Sequence, residues 1–358
     1  MIFTIPMIFY LCIFGLIFLI ITFKLRGLNG KTSKDFYNEI LNSSMWFFGA
    51  LIFPFAYSTD ISTDVYNYFN IFTDIAMIGI FVVVIVIVGR QKLLVKKKPT
   101  LISERTYERF SSSFRTEYTL RMDIERKTYH ALIPVFVLFA YILGNFIVSF
   151  LGLDFVSGHD LGIFLIINCG FGGLFLFAIA DIMRMSVFFS EKGISVFHLL
   201  PSTVLDILTK RMHKHELVTF VPTVAILLSF IPFLPAPFAV FSSVTLIASI
   251  SDAMASIFGK AFFKKYPGKW VYPGRRYKFY KGKNLIGYIA GFISTILICI
   301  VMFSIFPVEG IDVIEIIILA IIVALIFLLI DISSPPVNDN VLNPLACGLS
   351  MILCLLFL

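Results

Sequence analysis

Ten apolar stretches separated by short polar segments occupy most of this 358-residue sequence. Hydrophobic residues make up 59% of the chain and charged residues only 14%, too few polar groups to cover a water-soluble globule of this size. A helix of roughly 20 apolar residues spans a bilayer. We therefore predict an all-α, polytopic membrane protein with about ten transmembrane helices, at residues 2–23, 46–57, 69–88, 131–153, 161–180, 217–233, 238–257, 285–306, 313–330 and 341–358.

The basic residues predict an orientation for these helices. All 29 lysine and arginine residues fall into four segments, 24–34, 90–127, 184–214 and 260–283. With ten spans these segments share one side of the membrane, which the positive-inside rule makes cytoplasmic, and both termini are expected on the other side. A face this basic suits anionic lipid head groups or a nucleotide triphosphate. Because aromatic base-stacking motifs are not evident in it, we expect no nucleic-acid partner.

Carboxylates inside or beside apolar spans are costly and therefore mark candidate functional positions. One of them, Asp74, lies deep in the third predicted span, toward the non-cytoplasmic half. The others are expected at cytoplasmic helix ends or on the last cytoplasmic loop: Asp181, Glu216, Asp252, Asp331 and Asp339.

The neighbourhood of Asp252 has the composition of a phosphate site. On a helix Asp252, Ser256 and Gly259 fall on one face, where small residues let a phosphate approach the backbone. The loop that follows is rich in cations, and a carboxylate beside many cations can hold a nucleotide triphosphate with its magnesium. The loop cations are Lys264, Lys265, Lys269, Arg275, Arg276, Lys278, Lys281 and Lys283. No GxxxxGK[ST] motif is present, so a P-loop fold is not predicted.

Several motifs resemble the CTP-dependent lipid-alcohol kinases, which comprise dolichol kinase, phytol kinase and the CTP-using diacylglycerol kinase, and dolichol kinase is the nearest in appearance. Residues 252–259 resemble the signature helix end of that family, and residues 283–287 its Lys-Ser/Thr-x-Glu-Gly element. Asp331 with residues 339–345 resembles its acidic residue and Asp-Asn-Leu-x-x-Pro-Leu ending. Residues 125–130 resemble its Arg-Lys-x-x-His, and residues 214–216 its Lys-Glu.

The resemblance implies transfer of the CTP γ-phosphate to the hydroxyl of a membrane lipid alcohol, dolichol or another polyprenol, at the cytoplasmic face. It also implies Mg²⁺ as cofactor and CTP as co-substrate. Asp252 would be the principal magnesium ligand, and Asp339 or Asp331 the second ligand or the acceptor of the hydroxyl proton. Residues implied in nucleotide or lipid binding are Ser256, Gly259, Lys260, Arg275, Arg276, Lys283, Asn284, Gly287, Asn340, Arg126 and His130.

The resemblance covers residues 125–358, which we predict to form a seven-helix kinase-like core. Residues 1–124 would form a three-helix membrane region with a basic cytoplasmic loop. Two positions depart from the family pattern, since Asn284 stands where Ser or Thr is usual and Ile286 where Glu is common. A different magnesium geometry, a different lipid, or a relative without kinase activity would each account for the missing carboxylate.

Other functions remain open at this point. Within the family, the substrate could be diacylglycerol or phytol. A CDP-lipid cytidylyltransferase also joins CTP, magnesium and a membrane lipid, and a non-enzymatic transporter of anions would also place acids beside cations. The membrane would be the endoplasmic reticulum in a eukaryote and the plasma membrane in a prokaryote, and the sequence does not reveal the oligomeric state.

Overall fold

A computed structural model describes residues 4–113, 120–189, 195–211, 214–265, 285–333, 335 and 337–358. All regular secondary structure in these residues is helical, so the predicted all-α class is confirmed for the described part of the chain. The helices are α1 Ile5–Lys24, α2 Ser33–Ile52, α3 Thr63–Lys97, α4 Thr100–Glu104, α5 Tyr107–Ser112, α6 Leu120–Leu151, α7 Gly158–Met185, α8 Ser202–Arg211, α9 Pro222–Phe230, α10 Phe238–Leu246, α11 Asp252–Lys265, α12 Leu285–Ile305, α13 Val313–Ser333 and α14 Asp339–Phe357.

Eight helical stretches among the described residues are long and apolar enough to cross a bilayer, which makes this a multi-pass membrane protein. They are Ile5–Lys24, Thr63–Lys97, Ile124–Leu151, Gly158–Phe188, Phe238–Phe262, Leu285–Ile305, Val313–Ser333 and Asp339–Phe357, and each overlaps a predicted span.

The two remaining predicted spans have a different local structure. Of residues 46–57, the first seven close α2 and the next three form the 3₁₀ turn Phe53–Phe55. Helix α2 begins 13 positions before residue 46, at a capping box formed by Thr32 and Asp35, and has a polar first half. Residues 217–233 are divided among a 3₁₀ turn, the nine-residue helix α9 and the 3₁₀ turn Ile231–Phe233. Pro222 and Pro232 each stand at the start of one of these pieces, where the missing N–H is tolerated.

The chain forms two compact units that are interleaved in sequence. Unit 1 comprises Met1–Tyr118 and Gly144–Leu228, and unit 2 comprises Thr119–Leu143 and Ser229–Leu358. This division follows spatial contacts, whereas the predicted boundary at residues 124 and 125 follows motif resemblance. The predicted boundary therefore stays a prediction.

Unit 1 has an aromatic core. Trp46 of α2 is fully buried, and its ring lies within 6 Å of the rings of Phe14, Phe18 and Phe175. Arg184 is also fully buried, near the end of α7, where it pairs with Asp181. Aromatic rings this close pack in stacked and tilted geometries that add to the free energy of burial.

Unit 2 contains one irregular helix. Between α10 and α11 the backbone takes a π-helical turn over Ile247–Ser251, and α11 begins at Asp252. Helix α12 runs antiparallel to this segment, because Thr295 is hydrogen-bonded to Ser251 while Gly291, one turn earlier, lies against Ala255. A Cβ atom on Gly291 would lie only 2.7 Å from a ring carbon of Phe327 on α13, so this glycine is required by close helix packing.

Candidate active site

Asp252 lies at the start of α11, and the structure pairs it with a lysine from a distant part of the sequence. The Nζ atom of Lys127, on α6, forms an ion pair with Oδ2 of Asp252. The Lys127 side chain is 6% exposed and that of Asp252 is 28% exposed, so the pair is shielded on one side and open on the other. The carboxylate is thus both held by a cation and accessible to a ligand.

The antiparallel order of the helices brings several predicted residues to one end of unit 2. Helices α12 and α14 begin at this end, α13 ends there, and α11 runs toward it. It therefore contains Gly287 at the start of α12, Asp331 in the last turn of α13, and Asp339 with Asn340 at the start of α14.

Helix geometry distinguishes the two candidate second carboxylates. A Cβ atom on Gly348 of α14 would lie 2.8 Å from Val244 of α10. These two residues therefore lie at the same level along the axes of the two antiparallel helices, and depth is counted from this level. At 1.5 Å per residue, Asp252 lies about 12 Å beyond Val244 and Asp339 about 13 Å beyond Gly348. Asp252 and Asp339 therefore lie at a similar depth. Asp331 lies about one turn beyond Phe327, which packs on the level of Ala255, so along the helix axes it lies farther than Asp252 toward this end of the unit. Its side chain is half-buried, whereas that of Asp339 is exposed.

The remaining described residues of the predicted site surround Asp252 along two helices. Ser256 and Gly259 are half-buried on α11, on the same face as Asp252, and Lys260 is exposed. On α6, Arg126 precedes Lys127 and is half-buried, and His130, one turn later, is buried. Four predicted phosphate-binding positions lie outside the described residues: Arg275, Arg276, Lys283 and Asn284.

A layer of small polar residues lies beneath Asp252. Ser249, Ser251 and Thr295 are fully buried, and the Thr295 hydroxyl donates to the Gly291 carbonyl oxygen, 2.8 Å away. Two further buried oxygens, Ser249 Oγ and Asn343 Oδ1, have no hydrogen-bond partner among the described residues. π-helical turns are rare and recur at functional sites, and this one contains one of the two unsatisfied oxygens, that of Ser249, three residues before Asp252.

The donor set suits a metal that is bound mainly by phosphate. No group of three or more His, Cys, Asp or Glu side chains in the described residues is arranged to hold a metal ion by itself. Magnesium in nucleotide sites commonly uses only one or two carboxylates together with substrate phosphates and water. Asp252 and Asp339 offer one carboxylate each from two helices, so they would match this mode only where a nucleotide supplied the remaining ligands.

One acid expected at the same kind of position, Asp181, has another role within unit 1. Asp181 Oδ1 accepts hydrogen bonds from the Arg184 guanidinium at 2.6 and 3.0 Å, and Oδ2 accepts one from the Val221 backbone N–H at 2.7 Å. Glu216 supplies a backbone carbonyl to Arg184, at 3.1 Å. Asp181 is therefore a structural carboxylate.

The sequence interpretation did not single out Lys127 or the buried serine and threonine residues. Lys127 stands inside the Arg-Lys-x-x-His motif, but its partner is 125 positions away. A signal for the second group was available, since Ser242, Ser243, Thr245, Ser249 and Ser251 crowd one span. Such residues are enriched where membrane helices pack and hydrogen-bond to each other.

No protein-family model, curated protein or solved structure matches this chain.

Proposed function

We propose that this protein is a CTP-dependent kinase that phosphorylates the hydroxyl of a membrane lipid alcohol, dolichol or another polyprenol. The observation that carries the proposal is the shielded but accessible Lys127–Asp252 pair, with Asp339 at a similar depth. Such an arrangement can hold a metal-nucleotide complex on one side and receive a lipid head group from the bilayer. The motif resemblance supplies the identity of the nucleotide and of the lipid.

In this proposal the chain's own residues position the reactants and neutralise charge, which is the main protein contribution to phosphoryl transfer. The lipid hydroxyl oxygen attacks the γ-phosphorus, the bond to the β–γ bridging oxygen breaks, and CDP leaves. Asp339 would accept the hydroxyl proton, and Asp252 with Asp339 would hold Mg²⁺. When bound, Mg²⁺ would neutralise part of the negative charge on the phosphate oxygens.

Lys127 has a specific part in this proposal. Without nucleotide its ammonium group compensates the charge of Asp252, which is costly to leave unpaired when partly buried. With nucleotide, the same flexible side chain is within reach of the incoming phosphates and can contribute a positive charge to them. Lys127 would thus position Asp252 before the nucleotide binds and contact the phosphates afterwards.

The proposed orientation places the site on the cytoplasmic side, with ten membrane crossings and both termini on the opposite side. Labelling of single cysteines in intact cells tests this. Gly268→Cys and Gly282→Cys should react only with a reagent that enters the cytoplasm, and Glu309→Cys should react with an impermeant reagent from outside, each measured against the parent protein. External labelling of the first two variants contradicts the orientation.

The activity is tested with purified protein, magnesium and CTP labelled at the γ-phosphate, with polyprenol, phytol and diacylglycerol in separate reactions. We expect label in polyprenyl phosphate, far more with CTP than with ATP, and none after magnesium is chelated. Label in phytyl phosphate or phosphatidic acid alone would reassign the lipid. With CTP labelled at the α-phosphate, incorporation of CMP into lipid would establish a cytidylyltransferase instead.

A further inference from the structure

A second polar cluster lies in unit 1, apart in sequence from every residue of the proposed kinase site. We call it the α3 oxygen cluster, and define it as Tyr57, Asn70, Thr73, Asp74 and Asn168. Asn70, Thr73 and Asp74 follow each other at helical spacing on α3, and Asn168 of α7 donates to Thr73 at 3.3 Å. An ionisable residue within a membrane helix, here Asp74, marks a candidate functional site by default.

The amide groups of this cluster already direct their N–H groups to partners. Asn70 Nδ2 donates to the Tyr66 carbonyl oxygen at 2.8 Å. Asn168 Nδ2 donates both to the Phe164 carbonyl oxygen, at 2.8 Å, and to the Thr73 hydroxyl oxygen. The amide donors of the cluster are therefore engaged, and what remains to be satisfied is acceptor capacity.

Two acceptor oxygens of the cluster have no partner within the part of the chain that the structure describes. Asn70 Oδ1 is one of them, on a residue that is only 1% exposed. Asp74 Oδ1 is the other, and this atom is also buried. The hydroxyl of Tyr57, on a residue that is 7% exposed, lies beside Thr73 and likewise has no geometric hydrogen-bond partner among the described residues. Buried acceptors without donors are costly and need an explanation.

Neither α3 nor α7 supplies a lysine or arginine close to Asp74 in sequence. No lysine or arginine occurs at positions 35–89 or 128–183, which include most of α3 and nearly all of α7. The next basic residue along α3 is Arg90, about 24 Å away at the rise of an α-helix. A carboxylate inside a membrane requires a compensating positive charge or a proton.

We propose that the α3 oxygen cluster binds one monovalent alkali metal cation, with Asp74 as its charged ligand and Asn70 Oδ1 as a neutral ligand. Oxygen ligands are those that hard cations prefer. The cluster contains one carboxylate and otherwise neutral oxygens, so a single positive charge balances it and a divalent ion would leave an excess. Because Asn70 Oδ1 and the ionised carboxylate of Asp74 can only accept hydrogen bonds, the cluster favours a cation over an anion.

The carbodiimide reagent DCCD tests the proposal, because it modifies protonated carboxyl groups inside membranes and is blocked when a cation occupies them. Purified full-length protein is treated in NaCl or in choline chloride of equal ionic strength, and modification of Asp74 is followed by peptide mass spectrometry. We expect modification of Asp74 to be slower in NaCl than in choline chloride. The difference should be about tenfold when the Na⁺ concentration is about ten times the dissociation constant of the site. Equal rates in the two salts would overturn the proposal and leave a site for a proton only.

Two variants and a second measurement make the test specific. Asn70→Ala should keep the Asp74 modification but weaken the Na⁺ protection, whereas Asp64→Asn, at an exposed position in the first turn of the same helix, should change neither.

Thermal unfolding gives a readout that does not depend on access of the reagent. NaCl should raise the melting temperature above that in choline chloride, and Asp74→Asn should abolish the difference. If no sodium-dependent stabilisation is seen in the parent protein, the proposal is wrong.

Discussion

The two ion pairs Asp181–Arg184 and Lys127–Asp252 have similar chemistry and opposite surroundings. In unit 1 both side chains are fully buried, and the arginine donates to the carbonyl oxygens of Glu216, Leu217 and Thr219 as well as to its partner. In unit 2 the carboxylate of Asp252 is partly open, although the side chain of Lys127 is buried. An enclosed pair whose bonding capacity is used up holds a segment in place, whereas an open pair has capacity left for a ligand.

The largest effect should come from the enclosed pair. Arg184→Met leaves Asp181 buried without its cation and releases three backbone carbonyls, which should lower the free energy of unfolding by about 3–5 kcal/mol. Because the arginine joins α7 to the segment before α9, the yield of monodisperse protein in detergent should fall sharply. Denaturant unfolding of the purified protein measures the loss. A variant as stable as the parent would show that the pair does not hold this segment.

The open pair should have its main effect on activity. Asp252→Asn keeps the shape of the side chain but removes the negative charge, and loss of such a contact is worth on the order of 3 kcal/mol, or at least about a hundredfold in turnover. The initial rate at saturating CTP and lipid measures it, after each variant is shown to be monodisperse. Glu309→Gln, an exposed carboxylate in the loop between α12 and α13, should retain the parent rate. A fully active Asp252→Asn enzyme would remove the main support for the proposed site.

Substitutions of Lys127 test whether this residue has a positioning role or a purely structural one. Lys127→Met should lower kcat/KM for CTP about tenfold, which corresponds to about 1.4 kcal/mol, because Asp252 loses its cation and the phosphates lose a positive charge. Lys127→Arg should restore part of this activity, since it retains the charge. Steady-state kinetics of both variants, with unfolding curves beside them, test the assignment. Equal loss in both variants, matched by equal destabilisation, would instead indicate a packing role.

The smallest effect concerns a second enclosed pair in unit 1, Lys31–Glu39. Burial raises the pKa of Glu39 from 4.5 to about 7, although its partner Lys31 acts in the opposite direction. A raised carboxyl pKa stabilises the fold at low pH, and this contribution is lost as the pH rises through the pKa of the folded state. Between about pH 6 and about pH 8 the free energy of unfolding should fall by about 1 kcal/mol from this group. Glu39→Gln should flatten that slope in unfolding measured at several pH values.

The all-α class and most of the membrane spans could be predicted because a long run of apolar residues by itself indicates a helix that is buried in the bilayer. The two stretches that differ show where this fails. In residues 46–57 the apolar run is only the end of a longer helix whose start is fixed by the Thr32 cap. In residues 217–233 the prolines divide an apolar run into short turns, and hydropathy does not record backbone breaks.

The candidate site was predictable in part for a related reason. Asp252 could be identified because an acid within an apolar span is locally conspicuous, and its face on α11 follows from helical spacing. The partnership with Lys127 depends on packing between residues 125 positions apart, which no local pattern encodes. The similar depth of Asp252 and Asp339 likewise depends on where Gly348 meets Val244.

The π-helical turn at Ile247–Ser251 has a consequence for how this region tolerates insertion and deletion. A π turn contains one more residue than an α turn, so everything after it is rotated by about 100° relative to an uninterrupted α-helix. Deleting one residue here would restore a regular helix and turn Asp252 away from its present direction while leaving every side chain chemically intact. Point substitutions on either side of the turn leave the rotation of α11 about its axis unchanged. Among variants of this protein, the length of this stretch should therefore be under stronger constraint than its composition.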